Sequence, residues 1–298
     1  MKCIVCKNKN IKFLNFFGKI PRSHDFKKKK STKKYNFNLN QCKDCSVIQL
    51  KKSGIDHSFI PHLKWVKNNE PDQHLDELIS FLRNKLKEKK RILLVSNFDK
   101  RILDTLKNFS NLKLLESKRH LRIQKENPSQ FLIQKSIVKK SYSKKISNLG
   151  KFDFIVSCRV LEHTYNFDLF IKNLEFLLKP GGNFIFEIPD SEKSLKQGDI
   201  AMLWEEHPVY LTKKSITKAF HVLGYKVLSC KRYFYPQEDA LIVRIKKNLD
   251  IGKIKNYSLS KEFDLGKSFI KKTSQKREKL IDYLKKQKKK KKKIDIFG

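Results

Sequence analysis

Alanine is nearly missing from this chain: three residues in 298, at Ala201, Ala219 and Ala240. Arginine is scarce too, at ten of the 68 basic residues. Both have mainly GC-rich codons, whereas the abundant Lys, Asn, Ile and Phe have AT-rich ones, so the composition reads as genome bias. That weakens the obvious reading of a formal charge of +38. A nucleic-acid binder gains from arginine, whose planar guanidinium makes bidentate contacts with phosphates and bases. Here lysine dominates and runs along the whole chain. Nucleic acid is the weaker reading, although the charge still favours anionic ligands through long-range attraction.

Long apolar runs are also missing. None approaches the roughly 18 residues that a membrane span needs, and Met1-Lys-Cys-Ile-Val-Cys6 carries no signal-peptide core. A cytoplasmic protein with no membrane span is expected. The length suits one full-sized core plus a smaller module.

Cysteine is sparse but patterned. Four of six fall in the first 45 residues, as Cys3-x-x-Cys6 and Cys42-x-x-Cys45. Two cysteines separated by two residues can grip zinc from one tight turn, and two such pairs complete a tetrahedral thiolate site. The 35 intervening residues add little, because loop-closure cost grows only logarithmically with length. A disulfide framework would need an oxidising compartment, and a redox pair would need a strand–helix context. Cys3, Cys6, Cys42 and Cys45 are therefore read as ligands of a structural zinc with no open position for catalysis. Weak alternation at Tyr35-Asn-Phe-Asn-Leu39 makes residues 1–60 a small β-module. Cys158 and Cys230 lie inside apolar runs and read as packed thiols.

Beyond residue 60, strand and helix patterns alternate. Leu75, Leu78, Ile79, Leu82 and Leu86 have helical spacing, and Ile92–Val95 is a short strand. Ile102, Leu103 and Leu106 continue a helix, and Leu112–Leu115 is a second strand ending at Glu116. Phe131-Leu-Ile133 suits a third strand. Phe152–Ser157 is a buried strand, and Phe167 to Leu178 forms a helix stopped by Lys179-Pro-Gly-Gly182. Phe184–Ile188 is the next strand. A helix near 213–223 ends at Gly224, and strands at 225–229 and 240–245 pair as an edge hairpin. The pattern predicts an α/β fold with a parallel sheet covered on both faces, over residues 61–246. A Lys-rich extension, 247–298, follows, with a helix over 266–287 and a solvated charge block at Lys288–Lys293.

The run Phe152-Asp-Phe-Ile-Val, Val160-Leu-Glu-His163 and Leu178-Lys-Pro-Gly-Gly-Asn-Phe-Ile-Phe-Glu-Ile-Pro189 resembles the middle of class I S-adenosylmethionine (SAM) methyltransferases, a Rossmann-like fold. Such sheets bind ligands at their carboxyl edge, which puts Cys158 and His163 beside the cofactor. Glu206-His207-x-x-Tyr210, the four cysteines and Gly18-Lys-Ile-Pro21 extend the likeness to the zinc-containing sugar C-methyltransferase family. Members methylate carbon beside a keto group on nucleotide-activated deoxysugars. The resemblance implies SAM as cofactor, structural zinc and a nucleotide-sugar substrate, in deoxysugar or surface-polysaccharide synthesis. It also implies that Glu206 and His207 take part in carbon deprotonation. His207 suits the base, Glu206 its orientation or a sugar hydroxyl, and Tyr210 a further hydrogen bond. Where the family often has a tyrosine, this chain has Trp204.

The chain departs from the family at the cofactor turn. Leu93 to Leu103 keeps the hydrophobic frame and Asp99, but Ser96 and Lys100 stand where glycines let the backbone approach SAM. Ser96, Asp99, Lys100 and Glu116 are the candidate cofactor residues, Glu116 for ribose hydroxyls. Two readings follow: a reshaped loop that still binds SAM, or a non-enzymatic relative acting as a binding module. The retained Glu116 and Glu206-His207 favour the enzyme. An RNA-binding or RNA-modifying protein is a third reading. Asn69 to Asp76 could line a substrate cleft, but a helix N-terminus explains it as simply. Ile294-Asp-Ile-Phe-Gly298 reads as the opening strand of a truncated C-terminal domain.

Overall fold

A computed structural model describes residues 1–21, 34–50, 72–96, 100–125, 128–248, 260–291 and 293. The chain opens with β1 (Ile11–Pro21), β2 (Lys34–Cys42) and β3 (Ile48–Leu50). Then come α1 (Leu75–Lys87), β4 (Ile92–Leu94), α2 (Lys100–Leu106), β5 (Leu112–Leu114), α3 (Gln130–Ile137) and α4 (Tyr142–Lys145). The second half runs β6 (Phe152–Cys158), α5 (Phe167–Glu175), β7 (Leu178–Asp190), α6 (Glu192–Gln197), β8 (Val209–Tyr210) and α7 (Lys213–Val222). It closes with β9 (Tyr225–Tyr233), β10 (Asp239–Lys247) and α8 (Ser260–Lys289).

The main sheet has six strands in the order β5-β4-β6-β7-β10-β9. The first four are parallel, and β10 runs antiparallel to both β7 and β9. Strand alternation divides the core between the two faces. Ile92, Leu94, Phe154 and Val156 pack under the apolar faces of α1 and α2. Leu93, Ile155, Phe184, Phe186 and Val243 pack under α5 and α7. The expected edge hairpin is β9–β10.

A smaller antiparallel sheet, β1-β2-β3-β8, takes its last strand from the segment just after His207. Ile48 pairs with Tyr210 and Gln49 with Val209. Ile4, Val5 and Val47 belong to the same buried cluster as Phe167, Val209 and Leu211, so the module and the main sheet share one core. The first turn of helix α8 bonds to both: Gln41 Nε2 donates to the Glu262 carbonyl at 2.9 Å, and Thr212 Oγ1 donates to Glu262 Oε2 at 2.6 Å. Thr212 is also the N-cap of α7, in a capping box with Ser215.

Three expectations need correction. Phe131–Ile133 lies in α3, not in a strand. A short apolar run cannot be told from a buried helix by periodicity, and Phe131, Ile133, Gln134 and Ile137 are all buried. Helix α5 stops at Glu175, and Leu178 already opens β7. Pro180-Gly-Gly182 is a bulge in that strand: Phe152 pairs with Leu178, but Phe154 pairs with Asn183. A Cβ at Gly182 would meet the Lys179 and Asp153 carbonyls at 3.0 and 3.2 Å, so a larger residue there would push both backbones apart by a few tenths of an ångström. Lys288 and Lys289 complete α8 instead of opening a charge block. Ile294–Gly298 and Asn69–Pro71 lie outside the described residues. No helix among the described residues is long and apolar enough to cross a membrane.

Candidate active site and metal centre

The carboxyl edge of the sheet carries the polar residues. Strand β6 ends at Cys158, and a short turn of helix, Leu161–His163, brings His163 inward. The loop before β8 delivers Glu205, Glu206 and His207 to the same place. The rings of His163 and His207 meet edge to face, with centroids 4.5 Å apart. Trp204 stacks on the other histidine neighbour, His207, at 5.8 Å and 25°. Two tyrosines hold this loop by its carbonyls: Tyr165 donates to Glu205 O at 3.0 Å and Tyr210 to Trp204 O at 3.3 Å. Tyr210 thus anchors the loop from within the smaller sheet. Tyr165 had no pattern in the sequence to mark it.

Burial sets the proton positions. Removal from water, reinforced by the Arg159 charge, pushes His207 down to about 4, so it is a free base at neutral pH. Burial and the neighbouring His207 hold His163 well below the usual histidine range, with the Glu206 backbone acting in the opposite sense. Burial and the Glu205 carboxylate raise Glu206 to about 8, and burial raises Glu162 to about 8. Both carboxyl groups therefore keep a proton at neutral pH, and Glu206 can act as a hydrogen-bond donor. Glu162, His163 and His207 each bring one polar atom within 4.8 Å of the others, so a protonated carboxyl group stands beside two neutral imidazoles, and Glu206 is next to His207 along the chain. Such pairs of groups driven apart in pKa mark acid–base sites.

The candidate cofactor residues divide. Ser96 is buried just beyond β4, and Glu116 is exposed just beyond β5, on neighbouring parallel strands. Both lie at the edge where a SAM ribose and its backbone cradle belong, and an exposed carboxylate suits ribose hydroxyls. Asp99 and the side chain of Lys100 lie outside the described residues. Cys158 packs in the apolar cluster under α1 and α2. His163 is placed against His207.

In the module, Cys3 Sγ lies 3.6 Å from Cys45 Sγ and Cys6 Sγ 3.5 Å from Cys42 Sγ. All four sulfurs fall within 4.8 Å of one another. No S–S bond joins them, since a disulfide needs about 2.05 Å. A tetrahedral zinc with Zn–S bonds of ~2.3 Å needs sulfurs ~3.8 Å apart, which these residues fit. The two turns are equivalent. Cys3 N–H donates to Asn8 O at 2.8 Å, and Cys42 N–H donates to Val47 O at 3.0 Å. The residue after each second cysteine, Lys7 or Ser46, is left-handed, at φ 64° and 62°.

A parallel α/β sheet that ends in an antiparallel hairpin is the fold of a class I, SAM-dependent methyltransferase. The methyltransferase-domain family model matches residues 48–230, more than half of the chain, and the chain belongs to that family. No curated protein sequence matches. Similar solved structures include magnesium protoporphyrin IX methyltransferase from Synechocystis with bound S-adenosylhomocysteine. It has 11% identity and a TM-score of 0.37, with 59% of this chain and 83% of that one covered. A 1,6-didemethyltoxoflavin N1-methyltransferase from Burkholderia thailandensis has 11% identity and a TM-score of 0.37, covering 69% and 97%. An S-adenosylmethionine-dependent methyltransferase from Clostridium acetobutylicum has 11% identity and a TM-score of 0.38, covering 62% and 95%. Identity this low leaves the substrate to the chain's own residues.

Proposed function

We propose that this enzyme methylates carbon on a nucleotide-linked keto-deoxysugar and that the four-cysteine module holds a structural zinc. The observation that carries the reading is the contact of the His207 ring with His163 beside the Glu162 carboxyl, with Glu206 next to His207 along the chain. A carbon beside a carbonyl gives up its proton to a base only if the enolate oxygen is steadied. His207 takes the carbon proton, and Glu206 donates a hydrogen bond to the developing enolate oxygen. His163 packs edge to face against the His207 ring, and Trp204 stacks on that ring, so both limit its plane. SAM, when bound, supplies the methyl as an electrophile on a positively charged sulfur. Ser96 and Glu116 are the described candidates to hold it, and Cys3, Cys6, Cys42 and Cys45 would hold the zinc.

Two measurements test the reading. Calorimetric titration with SAM should give saturable heat; none at millimolar ligand, from folded protein, sinks the enzyme. Incubation of thymidine diphosphate 4-keto-6-deoxyglucose in deuterated water should then show exchange at the carbon beside the carbonyl. Exchange that persists undiminished in His207→Ala would remove His207 as the base.

A further inference from the structure

Apart from the His207 cluster, a second polar array reaches the same sheet edge. His74 precedes α1, but its side chain makes no capping bond; its ring is buried. Nδ1 lies 2.8 Å from the Tyr235 hydroxyl, and Nε2 lies 3.0 Å from Glu187 Oε1. The His74 backbone N–H donates to the same hydroxyl at 2.9 Å. Glu187 is fully buried and sits in register with Cys158, the last residue of β6. Its Oε1 also faces Arg159 Nε at 3.3 Å. Arg159 itself is left-handed, at φ 50°, a strained conformation of the kind that clusters at functional sites. Its charge bears on His207 as well, so both arrays border one arginine.

The proton positions follow from the partners. A carboxylate only accepts, so Nε2 carries the imidazole proton and a neutral ring leaves Nδ1 bare. The Tyr235 oxygen already accepts the His74 backbone N–H, and its own O–H donates to Nδ1. The array therefore runs Tyr235 O–H to His74 to Glu187. Movement of the phenolic proton to Nδ1 would leave a phenolate facing two N–H donors and an imidazolium against a carboxylate. Arg159 alone could neutralise the buried Glu187, so charge compensation does not explain the histidine and the phenol. Tyr235 is half-buried and pinned at both ends. Its N–H donates to Asp239 Oδ1 at 3.1 Å, and its carbonyl accepts from Lys193 Nζ at 2.6 Å.

The geometry points to a second activity: Tyr235, positioned by His74 and Glu187, accepts the proton of a substrate hydroxyl, so that the enzyme also transfers methyl to oxygen. A phenol, ionising near pH ~10, is closer in basicity to a hydroxyl than an imidazole is, which favours exchange between the two oxygens. The hydroxyl O–H bond breaks as the oxygen pair bonds to the methyl carbon, and the methyl–sulfur pair returns to sulfur. The substrate proton ends on the Tyr235 oxygen, whose own proton sits on His74 Nδ1. The inference rests on the methyltransferase class and not on the sugar reading.

The test uses the full chain, methyl-labelled SAM and two acceptors, thymidine diphosphate 4-keto-6-deoxyglucose and catechol, with O-methyl and C-methyl products resolved by NMR. Wild type should give O-methyl product. Tyr235→Phe and His74→Gln should lower the O-methyl yield by roughly a hundredfold, lowering the O- to C-methyl ratio, whereas His207→Ala should raise that ratio. No O-methyl product from either acceptor, or an unchanged yield in Tyr235→Phe, overturns the inference. C-methyl product alone would leave the sugar reading standing, and O-methyl product alone would leave only this one. Should the variants fail to fold, nitrogen-15 histidine spectra of the wild type decide. A bare Nδ1 on His74, assigned from its ring coupling, is required, and an Nδ1–H tautomer rules the relay out.

Discussion

Gln49 pairs with Val209, so the strand leaving the second cysteine turn holds the chain that leaves His207. The pairing is extended by Leu50 N–H, which donates to Pro208 O at 2.9 Å. Gln49 Oε1 also accepts from Ile4 N–H at 2.8 Å, inside the first cysteine turn. One residue thus bridges both cysteine turns and the His207 loop.

Metal removal should therefore reach the active site. Chelation, or Cys42→Ser, is expected to raise amide hydrogen exchange at Val209 and Tyr210 well above exchange at Ile155 in β6. Equal protection at β8 with and without metal would show that the module does not support the loop.

His207→Ala should cut turnover by about 10²–10⁴-fold while SAM affinity, read by calorimetry, stays within about twofold. His163→Ala should have a smaller effect on turnover, because that ring orients His207. If His163→Ala proves the more damaging, the roles of the two histidines are reversed.

The protonation pattern also sets a pH dependence of stability. Glu162 and Glu206 titrate at about 8 when folded, against ~4.3 in an unfolded chain. Their contribution is complete below ~4.3 and is lost as pH rises through about 8. His207 acts oppositely: at about 4 folded against ~6.5 unfolded, its contribution is complete above ~6.5 and lost as pH falls through about 4. Between ~6.5 and ~8 only the carboxyl groups of this cluster act, so the melting temperature should fall across that window. Glu162→Gln and Glu206→Gln should each flatten the fall. A wild-type melting temperature that rises there would contradict the assignment.

The packing of α8 can be probed at Gly198. This residue is left-handed at φ 67°, and a Cβ there would lie 2.6 Å from Lys272 Cβ in α8. Gly198→Ala combines backbone strain with overpacking and should cost about 1–3 kcal/mol, measured by urea unfolding. A neutral result would mean that α8 shifts freely against α6.

The second half of the main sheet was legible because its strands and helices have the right lengths and periods. Phe152–Cys158 and the β9–β10 hairpin needed no tertiary information. The four cysteines were legible for the same reason, spacing alone. The rest depended on contacts between distant segments. Leu161-Glu-His163 is visible as a motif, but its partner His207 becomes apparent only when two loops meet. Glu187 sits unannounced inside an apolar run, and Tyr235 lies in a hairpin connection with no periodicity. His74 read as part of a plain helix start, because nothing local shows that its ring turns inward. Phe131–Ile133 failed on length, being short enough to suit either element.

The order in which the chain leaves the ribosome gives the four-stranded sheet a further meaning. Strands β1, β2 and β3 emerge first, but their fourth partner, β8, lies near residue 210. Closing that sheet spans a long stretch of sequence, and such non-local pairing slows folding. The cysteine turns can form early, while their sheet stays one strand short until the His207 loop has been made. The four-stranded sheet is therefore completed only after β8 has been made, together with the His207 loop that precedes it.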